Sequence, residues 1–353
     1  MGTMPVETMP VETMQADTVL ADRKRRLIRY FAVMSALALL ALIISFCVGK
    51  YRLTPGEIVT ILSGGEIGRI KREVLLNLRI PRAFMALIAG LGLGLAGNVY
   101  QIIFRNPLAA PDIIGVASGA NLGAAIAVAL CGGGALLPAS FAFAGGMAVT
   151  FLVIALVRVT AQNSMTTYIL AGIIMKAISE SFIMMLKFFA DPEKELAAIE
   201  YWSMGSLGNI TAQKLAVAAP LFAVGFLGLV LIRRQVTLLG TQDDESRMLG
   251  VRVRGVRVAV LTFSTLMVTS TICMTGMIAF VGLIAPHIAR LLLKRNSFTS
   301  CVFAGLAGGF ILLVADIFAR TIYSAEIPIS ILTTFIGAPF LLYFIVKRNG
   351  AEQ

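Results

Sequence analysis

The side chains that could support metal binding or redox chemistry are few and widely separated. The sequence has a single histidine, His287, and four cysteines, at Cys47, Cys131, Cys273 and Cys301, each within an apolar stretch. Neither CxxC nor HExxH spacing occurs, so no zinc site is indicated. We therefore interpret the cysteines as small buried apolar residues and His287 as a structural hydrogen-bonding group or a contact with a partner subunit. We expect no metal site and no cofactor.

Motifs that bind nucleotides are not indicated either. The pattern GxxxxGK[ST] is absent, so the chain has no loop of the kind that cradles ATP phosphates. Residues 92–97 match GxGxxG, but a dinucleotide site needs a preceding strand and a helix that begins at the glycines. Here the glycines lie inside an apolar run, where small residues allow helices to approach closely. We expect the chain not to be an enzyme, and we expect any transport to be powered by another subunit.

Two charged residues interrupt an apolar stretch and could contribute to transport. Lys176 and Glu180 are four residues apart, so they share one face of a helix. They lie roughly 12 to 18 Å along that helix at about 1.5 Å per residue. Charges at such a depth in a membrane usually face a polar cavity or a partner. Two interpretations stay open: the pair lines a polar pathway, or the two charges neutralise one another between helices.

The elements that would position these residues are membrane-spanning helices. Of the 353 residues, 58% are hydrophobic and 14% are charged, whereas about a quarter of a soluble domain is charged. Apolar runs of about 20 residues can cross a bilayer as helices, which satisfy their own backbone polar groups. We predict an all-α polytopic membrane protein with ten membrane segments, the third and the eighth of them short, at about 27–48, 83–104, 113–131, 136–157, 168–189, 215–232, 258–277, 280–293, 302–318 and 329–346.

The basic residues predict the orientation of the chain. The net charge is +11, but the positive residues lie at the ends of apolar runs, which argues against nucleic-acid binding and for the positive-inside rule. A cytoplasmic N-terminus places nearly all basic loops inside, except the loop 50–82. We predict cytoplasmic termini, a disordered tail at 1–22 containing a TMPVE repeat, a transmembrane domain at 23–348 and a short C-terminal tail at 349–353.

The cytoplasmic loop 235–257 is the best candidate for receiving energy from a partner. Asp243 can cap a short helix, and Asp244 and Glu245 favour its first turn, because their carboxylates accept backbone N–H bonds and complement the helix dipole. Gly250 is typical of the residue that follows a helix. A short helix here could move as a lever; the alternative is an ordinary solvated connector. The predicted coupling segment comprises Gln242, Asp243, Asp244, Glu245, Ser246, Arg247, Leu249 and Gly250.

Several short motifs occur in order along the chain, beginning with Leu78–Arg82, which contains RxPR. The others are Asn106–Asp112 with Gly115, Trp202–Leu207, the segment 238–251, Phe280–Arg290, Ala315–Asp316 with Arg320, Glu326–Pro328 and Gly337–Phe340. Together these motifs resemble those of the FecCD family of permeases for iron-siderophore, haem and vitamin B12 import. Ser330 and Ala279 stand where glycine is usual in the family.

The resemblance implies a ten-helix permease of the type II importer fold that acts as a homodimer or with a close paralogue. It implies two ABC ATPase subunits at the cytoplasmic face, where residues 242–250 resemble coupling helices, and an extracytoplasmic substrate-binding protein at the outer face. Arg79 and Arg320 match arginines that can pair with carboxylates of that protein; the alternative is that they anchor the chain at the outer interface. Lys176 and Glu180 fall on a helix that lines the pathway in related permeases.

These implications give a bacterial inner-membrane permease that translocates an iron chelate, while a separate subunit hydrolyses ATP. A ferric siderophore is the first expectation for the cargo, and haem, cobalamin and molybdate stay open. An ion-coupled secondary transporter is the alternative, and Lys176 and Glu180 are its only support in the sequence. A membrane-embedded enzyme is disfavoured because no nucleophile or metal constellation occurs.

Overall fold

The computed structural model describes residues 11–49, 51–65, 67–131, 136–160, 164–323 and 325–349, with side-chain surroundings for residues 21–343 of these. Helices make up most of the described chain, and no strand occurs within it. The predicted all-α polytopic fold is confirmed. Residues 1–10 of the TMPVE tail, the glycines 132–134 and the C-terminal residues 350–353 lie outside the described part.

Ten apolar helical segments occur in the described part of the chain, and seven of them are long enough to cross a membrane. The other three are shorter. The long ones are α1 (Val11–Cys47), the unit formed by α3 (Arg69–Glu73), a π-helical turn (Val74–Arg79) and α4 (Ile80–Ile103), α6 (Leu137–Val159), α7 (Met165–Phe189), α9 (Ala212–Leu231), α12 (Val253–Thr275) and α14 (Phe298–Ala319). The shorter ones are α5 (Val116–Cys131), α13 (Val281–Leu293) and α15 (Ile329–Asn349), whose apolar part is Ile329–Tyr343.

Short helices occupy the connections. One end of the bundle bears α10 (Arg233–Leu238) and α11 (Asp243–Met248), and we name it the α11 end. The opposite end bears α2 (Pro55–Leu62), a π-helical turn (Pro192–Leu196) and α8 (Ala197–Ser203), and we name it the α8 end.

The first helix begins earlier than the sequence predicted. Helix α1 starts at Val11, so residues 11–22, expected to be disordered, are helical. Pro10 is the last proline before this helix. The following residues include Met, Gln, Ala and Leu, which lose little side-chain freedom in a helix. The expectation gave too much weight to the proline-containing repeat upstream.

Helix α4 is the centre of the bundle because its glycines allow backbone contact on two sides. A methyl group added at Gly94 would meet the carbonyl oxygen of Ala304 in α14, and one added at Gly97 would meet that of Gly282 in α13. Gly90 and Gly308 face each other across α4 and α14 in the same way. The GxGxxG sequence is therefore a helix-packing surface in the middle of α4.

The chain between α4 and α5 enters the bundle before α5 begins. A 3₁₀ turn, Pro111–Ile114, lies against α7, and Gly115 follows it with a left-handed φ of 77°. At Gly172 of α7, an added methyl group would meet the carbonyl oxygen of Ile113. This close approach explains why α5 is only 16 residues long, and it brings Asp112 next to α7.

Candidate coupling, docking and pathway sites

Helix α11 is a short helix with defined ends. Gln242 is its N-cap residue, and the Gln242 backbone N–H points to the Glu245 carboxylate at 3.4 Å. After the last turn, Gly250 takes a left-handed φ of 80° and donates its N–H to the Arg247 carbonyl at 2.9 Å. Val251 then donates to Ser246 at 3.0 Å, which completes a Schellman-type end. Gly250 therefore has the position expected from the sequence.

Asp243 joins α11 to the transmembrane helices and does not cap its own helix. Its carboxylate accepts from Arg105, which follows α4, at 2.5 Å and from Arg257 of α12 at 3.0 Å. Arg257 also lies over the Tyr168 ring of α7, 5.8 Å from the ring centre. Burial raises the pKa of Asp243, but the hydrogen bonds and charges of Arg257 and Arg105 outweigh burial and hold this pKa below its usual value. Asp243 thus joins α11 to the end of α4 and to α12, and through Arg257 to α7.

The faces of α11 divide into an anchored side and a free side. Ser246 is buried and its hydroxyl donates to the Leu238 carbonyl at 2.8 Å. In contrast, Met248 and Leu249 are 88% and 61% exposed although they are apolar. The side chains of Asp244 and Arg247 are also largely exposed and form a weak pair at 3.6 Å. The free side therefore offers apolar and charged groups to a partner.

Arg79 and Arg320 both bind the last turn of α1. Arg79 donates to the carbonyls of Phe46 and Cys47, at 2.5 and 2.8 Å, and to that of Tyr51. Arg320 donates to the Ser45 carbonyl at 2.9 Å. Since the last carbonyls of a helix have no partner within it, these arginines satisfy them. Both side chains are buried, so their docking role stays a prediction, and the structure adds a structural role for each.

Arg82 organises a buried ion-pair network that the sequence analysis did not identify. Its guanidinium binds Asp316 of α14 and Glu326, each at 2.8 Å. Arg320 binds the other oxygen of Asp316 at 3.3 Å. The sequence did contain a signal for this network, because Arg82, Asp316 and Glu326 belong to three of the family motifs quoted above. Hydrophobic periodicity shows where helices lie, but it does not show which distant motifs come together.

The Trp202–Leu207 motif also meets the end of α12 and the start of α15 at the α8 end. Ser206 donates its backbone N–H to the Thr275 carbonyl at 2.7 Å, and Ile329 donates to Gly205 at 3.1 Å. Ser330, which stands where the family usually has glycine, donates its hydroxyl to the Met277 carbonyl at 2.7 Å. The departure from the family pattern thus adds a bond between α15 and the connection that follows α12.

Lys176 and Glu180 form a cluster with a third residue, Asp112, which the sequence analysis missed. Lys176 Nζ lies 2.6 Å from Asp112 Oδ2 and 3.9 Å from Glu180 Oε1. A helical side chain points back towards the N-terminus of its helix, so Lys176 reaches the turn at Gly172 where Asp112 is held. The tighter of the two ion pairs is therefore with Asp112, 64 residues away, and sequence spacing could not indicate it.

His287 lies within α13 and is buried. Its Nδ1 is 3.2 Å from the Leu283 carbonyl and 2.9 Å from the Arg290 guanidinium. Arg290 also approaches the Pro107 carbonyl at 3.4 Å. These contacts correspond to a structural role for His287. In the part of the chain that the structure describes, no three histidine, cysteine or acidic side chains lie together as a potential metal site.

Comparison with known proteins reveals similarity over most of the chain. The model of the FecCD transport family matches residues 37–347. A molybdate import system permease protein, MolB, of Haemophilus influenzae is 33% identical over 331 residues, which cover 91% of this chain and 96% of the relative. A probable iron chelatin transport system permease of Helicobacter pylori is 34% identical over 277 residues, covering 78% and 83%.

A solved structure has the same architecture. It is described as an inward-facing conformation of a metal-chelate type ABC transporter and is 31% identical in sequence. The TM-score is 0.81, and the match covers 90% of this chain and 98% of the other. The arrangement of helices described above is therefore that of a transporter subunit.

Proposed function

Because this chain belongs to the FecCD transport family and is the permease subunit of an ABC importer, we propose that its cargo is an iron chelate, a ferric siderophore in the first place. The observation that supports this most is the family match, which extends over residues 37–347 and includes every motif discussed above. The chain is a multi-pass membrane protein, and we place it in the bacterial cell membrane with both termini in the cytoplasm.

The α11 end faces the cytoplasm in this proposal. Basic residues cluster at that end, as the positive-inside rule requires. Helix α11 then contacts one of two ABC ATPase subunits, which hydrolyse ATP for the importer. Its exposed Met248 and Leu249 suit an apolar groove on such a partner. Asp243 transmits the motion, because its bonds to Arg105 and Arg257 join α11 to α4 and α12.

The α8 end receives the substrate-binding protein. Exposed arginines lie there at Arg52, Arg69 and Arg72, and positive charge at a surface accelerates the approach of an acidic partner. Arg79 and Arg320 lie beneath this surface, bound to the carbonyls of α1. Carboxylates of the docked protein would replace those carbonyls as acceptors, since a charged pair is the stronger hydrogen bond.

The pathway runs between this chain and a second copy, or a close paralogue. Asp112, Lys176 and Glu180 are partly exposed along α7. Lipid cannot solvate three ionisable groups at this depth, whereas a water-filled path between two subunits can. The pathway role first suggested for Lys176 and Glu180 thus extends to Asp112.

The cargo is a chelate and not a bare metal ion because the sequence lacks suitable ligands. A free transition-metal ion needs nitrogen or sulfur ligands along its path, and the chain has one histidine and four separated cysteines. A metal that stays within its chelator needs none of them. Molybdate is the second candidate, since the relative from Haemophilus influenzae is named for its import.

The proposal is tested by uptake into proteoliposomes that contain the permease, its ATPase and its binding protein. Radiolabelled ferric siderophore, haem, cobalamin and molybdate are offered in parallel. We expect uptake of a ferric siderophore that requires ATP and both partners. Uptake that needs no ATPase and follows an imposed proton or sodium gradient would establish the secondary-transporter alternative, and ATP-dependent uptake of molybdate alone would replace the proposed cargo.

A further inference from the structure

We propose that Asp112, Lys176 and Glu180 form an anionic selectivity site in the pathway, which favours neutral or cationic chelates that donate hydrogen bonds and disfavours oxyanions. This inference rests on the proposed function. It adds Asp112 to the pathway site, assigns the site a negative net charge and defines the charge class of the cargo. We name these three residues the charged cluster.

The fold holds the charged cluster at mid-depth. Lys176 lies 11 residues after the start of α7, about 17 Å along it at about 1.5 Å per residue. The left-handed Gly115 and the contact of Gly172 with Ile113 fix the turn that bears Asp112. Because two glycines set this backbone approach, Asp112 cannot move away from α7 without breaking helix packing.

On the single chain, the charged cluster is open to its surroundings. The side chains of Asp112, Lys176 and Glu180 are 39%, 40% and 53% exposed. A neutralised pair between helices, the alternative left open by the sequence, would instead be buried against protein. Exposed charges of this kind at membrane depth require water.

The cluster has an excess of acceptors. It comprises one ammonium and two carboxylates, so its formal net charge is −1. Lys176 Nζ contacts Asp112 Oδ2 at 2.6 Å, while Asp112 Oδ1 is buried and accepts no hydrogen bond within the described part of the chain. The negative charge of the Asp112 carboxylate is therefore compensated at only one of its two oxygens.

These features define the class of cargo. A neutral or cationic ferric trihydroxamate, with amide or ammonium donors on its surface, can donate hydrogen bonds to the Glu180 carboxylate, which is 53% exposed and lies 3.9 Å from Lys176 Nζ. Molybdate and other oxyanions bring acceptors and negative charge to a site that already has an excess of both. Like charges at short range are repelled most strongly where water is scarce.

The sign of the electrostatic potential at the charged cluster can be measured without any transported substrate. Ile173 lies one turn from Lys176 on α7 and is 55% exposed. The substitution Ile173→Cys is made in a Cys47→Ser, Cys131→Ser background. The assembled complex in proteoliposomes is treated with a cationic and with an anionic methanethiosulfonate reagent. We expect the cationic reagent to react faster, on the order of tenfold. The double change Asp112→Asn, Glu180→Gln leaves only the ammonium and should reverse this preference.

Controls separate the failure of this inference from failure of the proposed function. Leu40→Cys on α1, also on an exposed apolar face, should react slowly with both reagents because lipid covers it. If the cysteine at position 173 is equally slow, α7 faces lipid and the pathway assignment is wrong. If it reacts rapidly with both reagents at equal rates, the pathway assignment holds and the anionic selectivity site is rejected.

Uptake provides a second readout. With the same proteoliposomes, we expect Asp112→Asn, Glu180→Gln to lower uptake of a cationic ferric trihydroxamate severalfold relative to the unmodified permease. Asp22→Asn, at an exposed acidic residue in the first part of α1, should leave uptake unchanged. Uptake of the chelate that is unaffected by the double change would overturn the assignment of cargo class.

Discussion

Arg82 and Asp316 are 234 residues apart in the chain, and their side chains meet at 2.8 Å inside the α8 end. Asp316 is fully buried, and it also binds Arg320, which in turn holds the end of α1. One carboxylate thus links α1, α4 and α14. The Arg82 guanidinium continues this network to Glu326, just before α15.

Removing the charge of Asp316 should destabilise the permease strongly. In Asp316→Asn, Arg82 and Arg320 lose a charged acceptor while remaining buried, which typically costs about 3 to 5 kcal/mol. Thermal unfolding in detergent measures this effect. Asp244→Asn, at an exposed carboxylate of α11, is the matched control and should not change the midpoint. Equal midpoints for both variants would show that the network does not support the fold.

Replacing Asp243 should weaken coupling and leave the fold intact. In Asp243→Asn, the charge-assisted bonds to Arg105 and Arg257 become neutral ones, a loss of about 1.5 to 3 kcal/mol. We expect ATP-driven uptake to fall about tenfold, while ATP hydrolysis by the assembled complex persists. Asp22→Asn, at an exposed aspartate in the first part of α1, serves as the control and should leave uptake unchanged. Parallel loss of uptake and hydrolysis would indicate failed assembly and not failed coupling.

The attachment of α11 to the transmembrane helices should weaken as the pH falls. In the folded protein, the pKa of Asp243 is lowered. The stabilisation that its ion pairs provide is therefore present above the ordinary aspartate pKa, about 3.9. It is lost as the pH falls through the lower pKa of the folded state. A spin label on Met248→Cys, in the Cys47→Ser, Cys131→Ser background, should become more mobile only as the pH falls below the ordinary aspartate value of about 3.9. In the presence of Asp243→Asn, the label should be mobile at all pH values, and a pH-independent signal from the parent would contradict the assignment.

The glycine contact between α4 and α14 should not tolerate a methyl group. Gly94→Ala directs its Cβ against the Ala304 carbonyl, and overpacking of this kind costs about 1 to 3 kcal/mol. Gly255→Ala, in the first turn of α12 where nothing lies within 4 Å of the added Cβ, is the control. It should be neutral or slightly stabilising, because alanine loses less backbone entropy in a helix. Thermal unfolding compares the two, and similar destabilisation of both would reject the packing argument.

The sequence by itself determined the fold class, the membrane segments and the family. Apolar runs of membrane length need no tertiary information, because the bilayer imposes the same requirement on each segment separately. The short helix α11 and its terminal Gly250 were predictable for a similar reason, since helix ends depend on local backbone conformation. The early start of α1 was missed because weak local preferences had to be weighed against a repeat that contains proline.

Only the tertiary structure decided which charged groups meet. Asp112 pairs with Lys176 because two glycines bring a turn against α7. Arg79 and Arg320 bind the end of α1 because three elements converge at the α8 end. Ion pairs between residues 64 or 234 positions apart have no signature in local spacing. The physical reason is that a charge in an apolar bundle must find whichever partner the packing of the helices places within reach.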